Sequence, residues 1–270
     1  MQEPVHLSIL LAEDDADDAL LTRTLLGEID GLCCQVDWLS TFEAADELIC
    51  DNQHDVYLFD YSLGARTGLD LLKSAREHGC TTPVIMLTGH TGNEVILEAL
   101  RAGAADYLVK GQFDSEILGR SIRYSMNRNR SEAALRLCEE RYRNLFDNAS
   151  EMVFSYDWMG KVTAANRSTE RATGFSRDEL TAMNLADLLT KDSLVAMEDM
   201  NVRQMAGDGQ DSCFIAMRTK QGAMIPVEVS SSLITDGRRP IEFQAIGCSI
   251  LNGDSPNLRP LVANGGQGGG

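Results

Sequence analysis

Leu7-Ser8-Ile9-Leu10-Leu11-Ala12-Glu13-Asp14-Asp15 decides the fold. An apolar run that stops at three acids reads as a strand buried on both faces, with its far end in water. Asp15–Glu28 follows with helical spacing at Ala16, Leu20, Thr24 and Leu25. The alternation then repeats. Gln35–Leu39, Val56–Phe59, Val84–Leu87 and Asp106–Val109 read as strands. Phe42–Cys50, Gly68–Glu77, Glu94–Ala102 and a segment starting near Asp114–Ser115 read as helices. Five strands alternating with five helices imply right-handed βαβ units, hence an α/β, doubly wound five-stranded parallel sheet.

The remaining sequence narrows the class. The chain has 270 residues, 41 Asp+Glu against 24 Lys+Arg, and a net charge of −17. The length suits two domains. The charge excludes nucleic acid as a direct partner, because phosphate binding needs clustered Lys and Arg, and it excludes docking on anionic membranes. No apolar run reaches the 18 or so residues of a spanning helix, and Met1–Asp15 does not read as a signal peptide. The seven cysteines, an odd number without C-x-x-C, are expected to be reduced thiols in a cytoplasmic protein, mostly buried as small apolar residues. Residues 1–130 carry 22 acids and 10 bases, so the excess of acid is concentrated there.

Between Ser115 and Asn148 the chain is Arg-, Glu- and Asn-rich, with no proline and only Gly119 as an interior breaker. It reads as a long helix with a fair heptad signal. Beyond it the pattern changes. Met152–Tyr156 and Lys161–Ala165 flank a hairpin turn at Asp157–Gly160. Helical segments follow at Arg167–Thr173, Ser176–Ala182 and near Asp192–Met205. Ser212–Arg218, Ile225–Ser232 and Glu242–Ile250 then read as strands. Strand pair, helices and three strands make an α+β domain. The expected division is 1–125, a helical connector 126–148, a second domain 149–251, and a disordered Gly-rich tail 252–270.

In an open parallel sheet, ligands sit beyond the carboxyl ends of the strands. The candidate strands end in Glu13-Asp14-Asp15, Asp60, Thr88 and Lys110. Carboxylates converging there repel one another unless a hard cation neutralises them, and all-oxygen ligation points to Mg²⁺. Mg²⁺ leaves room for a phosphate, and a carboxylate beside it is a nucleophile for a phosphoryl group. Lys110 would neutralise the phosphoryl oxygens and Thr88 would donate a hydrogen bond to them. Asp15 is expected to cap the first helix, and Asp17 and Asp18 to be solvated charges of its first turn.

Residues 7–125 resemble the receiver domain of bacterial two-component response regulators, of flavodoxin-like fold. The resemblance rests on Ile9-Leu-Leu-Ala-Glu-Asp-Asp15, Phe59-Asp-Tyr-Ser-Leu63 with Gly68-Leu-Asp-Leu-Leu72, Met86-Leu-Thr-Gly-His90 and Ala104-Ala-Asp-Tyr-Leu-Val-Lys110. It implies Asp60 as phosphoacceptor, and Mg²⁺ held by Glu13 (through water), Asp14, Asp60 and the Ser62 backbone carbonyl. It implies Thr88 and Lys110 on the phosphoryl group, and Tyr107 as the switch aromatic that follows Thr88. His90 is expected at the surface. The sequence departs from the family where a proline usually follows the lysine, often after a cis bond: here Gly111 stands. A cis bond to a non-proline residue costs about 2.5–4 kcal/mol, so a trans or more mobile loop is expected.

Residues 139–251 resemble a PAS domain, through Glu140-Arg-Tyr-Arg-Asn-Leu-Phe146, Ala165-Asn166, Thr173-Gly-Phe-Ser-Arg-Asp-Glu-Leu180 and Ile225-Pro-Val-Glu-Val-Ser230. All four histidines (6, 54, 78 and 90) precede it, so it lacks an imidazole for haem iron, and no Asn-Cys-Arg-Phe stretch is present for flavin photochemistry. A cofactor-free module for dimerisation or partner binding is expected ahead of one with a small-molecule cavity, with Cys138, Cys213 and Cys248 as packing residues and Trp158 as an edge-packing residue or partner contact rather than a cofactor stack. Together the resemblances imply a signalling switch phosphorylated by a histidine kinase or phosphotransfer protein. Its outputs would be a homodimer through the connector and PAS domain, or a downstream protein partner. The alternative is the N-terminal regulatory part of a larger signalling enzyme, a cyclase, phosphodiesterase or histidine kinase. An aspartyl-phosphate phosphatase would need a second Asp two residues after the nucleophile as general acid, and Ser62 stands there. The protein is therefore expected not to be an enzyme.

Overall fold

The computed structural model describes residues 4–49, 53–89, 93–206, 212–237 and 239–249. His90 and the tail 252–270 lie outside the described residues. The chain divides into two compact units, Met1–Cys138 and Glu139–Gly270.

The first unit runs β1 (Val5–Ala12), α1 (Ala16–Gly27), β2 (Leu32–Leu39), α2 (Phe42–Ile49), β3 (Val56–Asp60), a two-residue ladder β4 (Ser62–Leu63) and β5 (Arg66–Thr67), α3 (Gly68–Glu77), β6 (Val84–Thr88), α4 (Asn93–Arg101), β7 (Asp106–Val109) and the start of α5 (Ser115–Asn148). The main sheet is parallel, in the order β2-β1-β3-β6-β7. Every residue of β3 and β6 is buried, as unbroken apolar runs require. Successive side chains of a strand point to opposite faces, so the unit has two cores. Leu10, Tyr57, Phe59 and Met86 lie in one, beneath α2 and α3. Ile9, Leu11, Leu58 and Leu87 lie in the other, with Leu118, Ile122 and Met126 of α5.

Two glycines permit close approaches. A Cβ on Gly68 would stand 2.0 Å from the Asp60 carbonyl oxygen, and one on Gly119 2.7 Å from Ile29 Cγ2. Gly119 thus lets α5 pack against Ile29 and is no break in the helix. Past Met126 the helix leaves the core, and residues 131–145 are all exposed.

The second unit comprises the end of α5, then β8 (Met152–Tyr156), β9 (Val162–Ala165), α6 (Arg167–Thr173), α7 (Arg177–Ala182), α8 (Leu185–Leu188), α9 (Lys191–Ala206), β10 (Ser212–Arg218), β11 (Met224–Asp236) and β12 (Arg239–Ser249). Its sheet is antiparallel, in the order β10-β11-β12-β8-β9. Phe154, Tyr156, Met197, Met200, Met217 and Phe243 fill the core. Ser176 and Glu179 form the expected capping box at α7. Trp158 packs edge-on against Phe243, 4.9 Å between ring centres.

Cysteine burial departs from expectation. Of the six described cysteines, only Cys80 is buried; Cys33, Cys138 and Cys248 are exposed. Cys138 lies on the solvated stretch of α5, and Cys248 follows the buried Gly247 on β12, where alternation turns it outward.

Candidate functional site

The strand order reverses at β1 and β3, and the acidic groups gather just beyond their carboxyl ends. Glu13 follows the last residue of β1. Its amide donates to the Leu39 carbonyl (3.0 Å), and its own carbonyl accepts from Trp38 Nε1 (2.8 Å). Both bonds fix the backbone, so the side chain must turn inward, where it is fully buried. Asp60 ends β3 and is 5% exposed. Two bonds shape the turn after it: Tyr61 donates its amide to Leu87, and Gly68 donates to Tyr61. The amides of Tyr61 and Ser62 turn to the Asp60 carboxylate. Asp14 is exposed and accepts from the Gly64 amide at 2.9 Å.

One oxygen from each of Glu13, Asp14 and Asp60 lies within 4.8 Å of the others. Lys110, one residue past β7, reaches into the same place. Its Nζ stands 2.7 Å from Glu13 Oε2, 2.8 Å from Asp18 Oδ2 and 2.9 Å from Asp60 Oδ1. Thr88 ends β6 and is buried, and its carbonyl accepts from the Lys110 amide at 2.8 Å. That bond extends the pairing of Thr88 with Val109 and places the lysine at the sheet edge.

Electrostatics mark this as a strained cluster. Burial pushes the Glu13 carboxyl up to about 7; Lys110 opposes the rise, and the charge of Asp60 adds to it. Burial also raises Asp60, against Lys110 and the two backbone amides. Burial disfavours the charge of Lys110, but its hydrogen bonds to Asp18, Glu13 and Asp60 outweigh that and hold it above an ordinary lysine. Three carboxylates, Glu13, Asp18 and Asp60, therefore meet one ammonium, and that of Asp14 stands within 4.8 Å of those of Glu13 and Asp60. Glu13 Oε2 meets that ammonium and accepts no other hydrogen bond among the described residues. A hard cation at 2.0–2.1 Å from its oxygens brings neighbouring ligands about 3–4 Å apart. The three carboxylates need only a small closure to reach that spacing, so the donor set fits a divalent ion.

The structure thus brings together Glu13, Asp14, Asp60, Thr88 and Lys110. Ser62 lies two residues past Asp60, exposed, and pairs with Thr67. Tyr107 is half-buried on β7, packed against the core cluster that holds Phe59 and Met86, and in register with Met86. Gly111 follows Lys110 through a trans peptide with φ +76°, a conformation closed to proline. The replacement of the usual proline therefore changes the shape of this loop while leaving Lys110 at the site.

Asp15 caps α1 as expected, its Oδ1 accepting from the amides of Asp17 and Asp18. Asp18 itself corrects the sequence reading: it is a site residue, bonded to Lys110 across 92 positions. Its place four residues after Asp14, one helical turn on, was the available signal. Trp38, on the strand beside β1, was missed for want of any charge.

Comparison with known proteins agrees with this geometry. A family model described as "Response regulator receiver domain" matches residues 9–122, and one described as "PAS fold" matches residues 140–247. The response regulator protein PmrA of Pseudomonas aeruginosa is 32% identical over 130 residues, covering 47% of this chain and 56% of that protein. The transcriptional regulatory protein DcuR of Escherichia coli K12 is 34% identical over 107 residues, covering 38% and 44%. The chain thus spans about half the length of the curated relatives it matches. Among solved structures, the receiver domain of the Francisella response regulator 1452 is 30% identical, with a TM-score of 0.41 over 45% of this chain and 98% of that one. A PAS domain from a two-component sensor histidine kinase is 23% identical, with a TM-score of 0.37 over 42% and 97%. The chain thus carries a response regulator receiver domain, residues 9–122, followed by a PAS domain, residues 140–247.

Proposed function

We propose that this protein is a phosphorylation-driven switch in which Asp60 accepts a phosphoryl group from a histidine kinase or phosphotransfer protein. The observation that carries the reading is the buried Asp60 carboxylate, 2.9 Å from Lys110 and beside Glu13 and Asp14. Glu13, Asp14, Asp60 and the Ser62 carbonyl would hold Mg²⁺, which supplies charge neutralisation for the incoming phosphate. A carboxylate oxygen of Asp60 attacks phosphorus. The P–N bond of the donor phosphohistidine breaks, its electron pair stays on the imidazole, and an acyl phosphate forms. Lys110 neutralises the phosphoryl oxygens, and the Thr88 hydroxyl donates to one of them. With no general acid two residues on, the protein acts as an acceptor rather than an enzyme, losing the group slowly to water.

The added charge of about −1.5 to −2 biases a two-state element. Thr88 moves toward the phosphate, Tyr107 follows, and the β7–α5 face repacks. Since α5 runs into the connector, the bias reaches residues 131–145. There Leu135, Cys138, Tyr142 and Leu145 are exposed at 3-4-3 spacing, the seam of a two-stranded coiled coil. The connector and PAS domain then form a homodimer or receive a protein partner in the cytoplasm. Two measurements test this. Acetyl phosphate with Mg²⁺ should add roughly 80 Da, one phosphoryl group, to the wild type. Light scattering should show a larger mass with beryllofluoride and Mg²⁺ than without; an unchanged mass would remove the dimer from the proposal.

A further inference from the structure

A second polar cleft lies at the opposite edge of the parallel sheet. It has a volume of about 550 Å³ and opens among the loops that lead into β6 and β7, the end of α3 and one face of α5. The strands between separate it from the acidic site by about 16 Å, the length of five residues at 3.3 Å each. Its charge is opposite to that of the protein. Arg76, Arg128 and Arg136 line it, against one carboxylate, Glu132, which pairs with Arg128 at 2.9 Å.

Three details separate it from ordinary surface. Arg76 is half-buried, and its guanidinium donates to three backbone carbonyls, Cys80 (2.7 Å), Thr82 (3.1 Å) and Gly103 (3.1 Å). It has no carboxylate partner among the described residues, so a whole positive charge is held in the wall. Ser125 is 1% exposed and part of the cleft wall, and its buried hydroxyl has no hydrogen-bond partner among the described residues. A helical serine often bonds back to its own turn, and a buried hydroxyl without a partner is costly. Arg136 has no ion pair among the described residues. Ser125, Arg128, Asn129, Glu132 and Arg136 stand at i, i+3, i+4, i+7 and i+11, so one face of α5 carries them all.

We propose that this cleft binds a compact anion of charge −2 or more, borne by phosphate or carboxylate groups. The forked guanidiniums of Arg128 and Arg136 grip its oxygens, Arg76 supplies field from the wall, and the Ser125 hydroxyl and Asn129 amide donate to it. The volume is that of a small-molecule site. A ligand there ties α5 to the loops ahead of β6 and β7. It therefore reaches the connector by a route independent of Asp60.

Calorimetric titration of the full chain with pyrophosphate, and separately with citrate, in Mg²⁺-free buffer tests the proposal. One-site binding of at least one probe is expected, and which one binds identifies the group. Arg136→Gln and Arg128→Gln should each weaken it about tenfold, Ser125→Ala severalfold, and Glu132→Gln should tighten it. The Arg128–Glu132 pair is solvent-exposed and worth well under a tenth of a typical fold's stability, and Arg136 has no ion pair among the described residues, so these variants should fold. Asp60→Asn should leave affinity unchanged. No saturable binding of either probe would overturn the proposal. So would binding indifferent to both arginine variants, or binding lost with Asp60→Asn.

Discussion

The two units both bury polar side chains under five-stranded sheets, but they bury different kinds. In the receiver unit the buried set includes Glu13, Asp60 and His54. In the PAS unit, among the described residues, it is neutral throughout: Ser155, Asn166, Ser168, Thr169, Thr173, Ser193 and Ser231. Asn166 shows how complete the second network is. Its Oδ1 accepts from the amides of Val153 (3.0 Å) and Thr169 (2.9 Å) and from the Thr169 hydroxyl (2.9 Å). Its Nδ2 donates to the carbonyls of Phe146 (3.0 Å) and Glu151 (2.9 Å). Such a satisfied group ties α5, β8 and α6 together and has nothing left to offer a ligand. The Glu13–Asp60 cluster is the reverse: it holds more negative charge than Lys110 can balance. Buried polarity that is satisfied supports a fold; buried charge left in excess marks a site.

Breaking each network should therefore move stability in opposite directions. Asn166→Ala leaves the buried amides of Val153 and Thr169 unpaired and takes the side-chain donor from the part-buried carbonyls of Phe146 and Glu151. It should destabilise the protein by about 3–5 kcal/mol in urea denaturation, since each costs about 1–3 kcal/mol. A loss below 1 kcal/mol would mean that the network is dispensable. Glu13→Gln keeps the shape and removes the excess charge. In metal-free buffer it should raise stability by about 1–2 kcal/mol while weakening Mg²⁺ binding, the usual trade between a strained site and stability. A destabilised variant with normal Mg²⁺ affinity would place Glu13 in the structural class.

The smallest expected effect is on the pH profile. The folded Glu13 carboxyl lies near 7, against an ordinary value of 4.5. The folded chain therefore binds more protons than the unfolded chain between those values. The stabilisation this provides is complete below about pH 4.5 and is lost as pH rises through about 7. Glu13→Gln should flatten that slope in metal-free urea melts, and Mg²⁺ should bind the wild type more tightly at pH 8 than at pH 6. A Glu13→Gln profile identical to wild type would locate the slope elsewhere.

Much of this was legible in the sequence, for physical reasons. Strands buried on both faces appear as unbroken apolar runs, so Leu7–Ala12, Val56–Phe59 and Val84–Leu87 gave up their ends, and with them Glu13, Asp60 and Thr88. Edge strands are less plain. β2 alternates exposed and half-buried residues from Leu32, and sequence periodicity recovered only its part from Gln35. The four-residue α8 and the two-residue β4 and β5 are too short to show a period. Asp18 was hidden because a charge in a first helical turn is ordinarily solvated; only the fold brings Lys110 to it. The arginines of the second cleft were hidden likewise, since their meaning depends on the loops that α5 crosses.

The claim at the centre is that Asp60 is the group that takes the phosphoryl. After treatment with acetyl phosphate and Mg²⁺, borohydride reduction converts an aspartyl phosphate to homoserine, which peptide mass mapping locates. Homoserine at position 60 in the wild type, and at no position in Asp60→Asn, is the expected result. Homoserine at another acidic residue, or a phosphoryl adduct of undiminished yield in Asp60→Asn, would contradict the account.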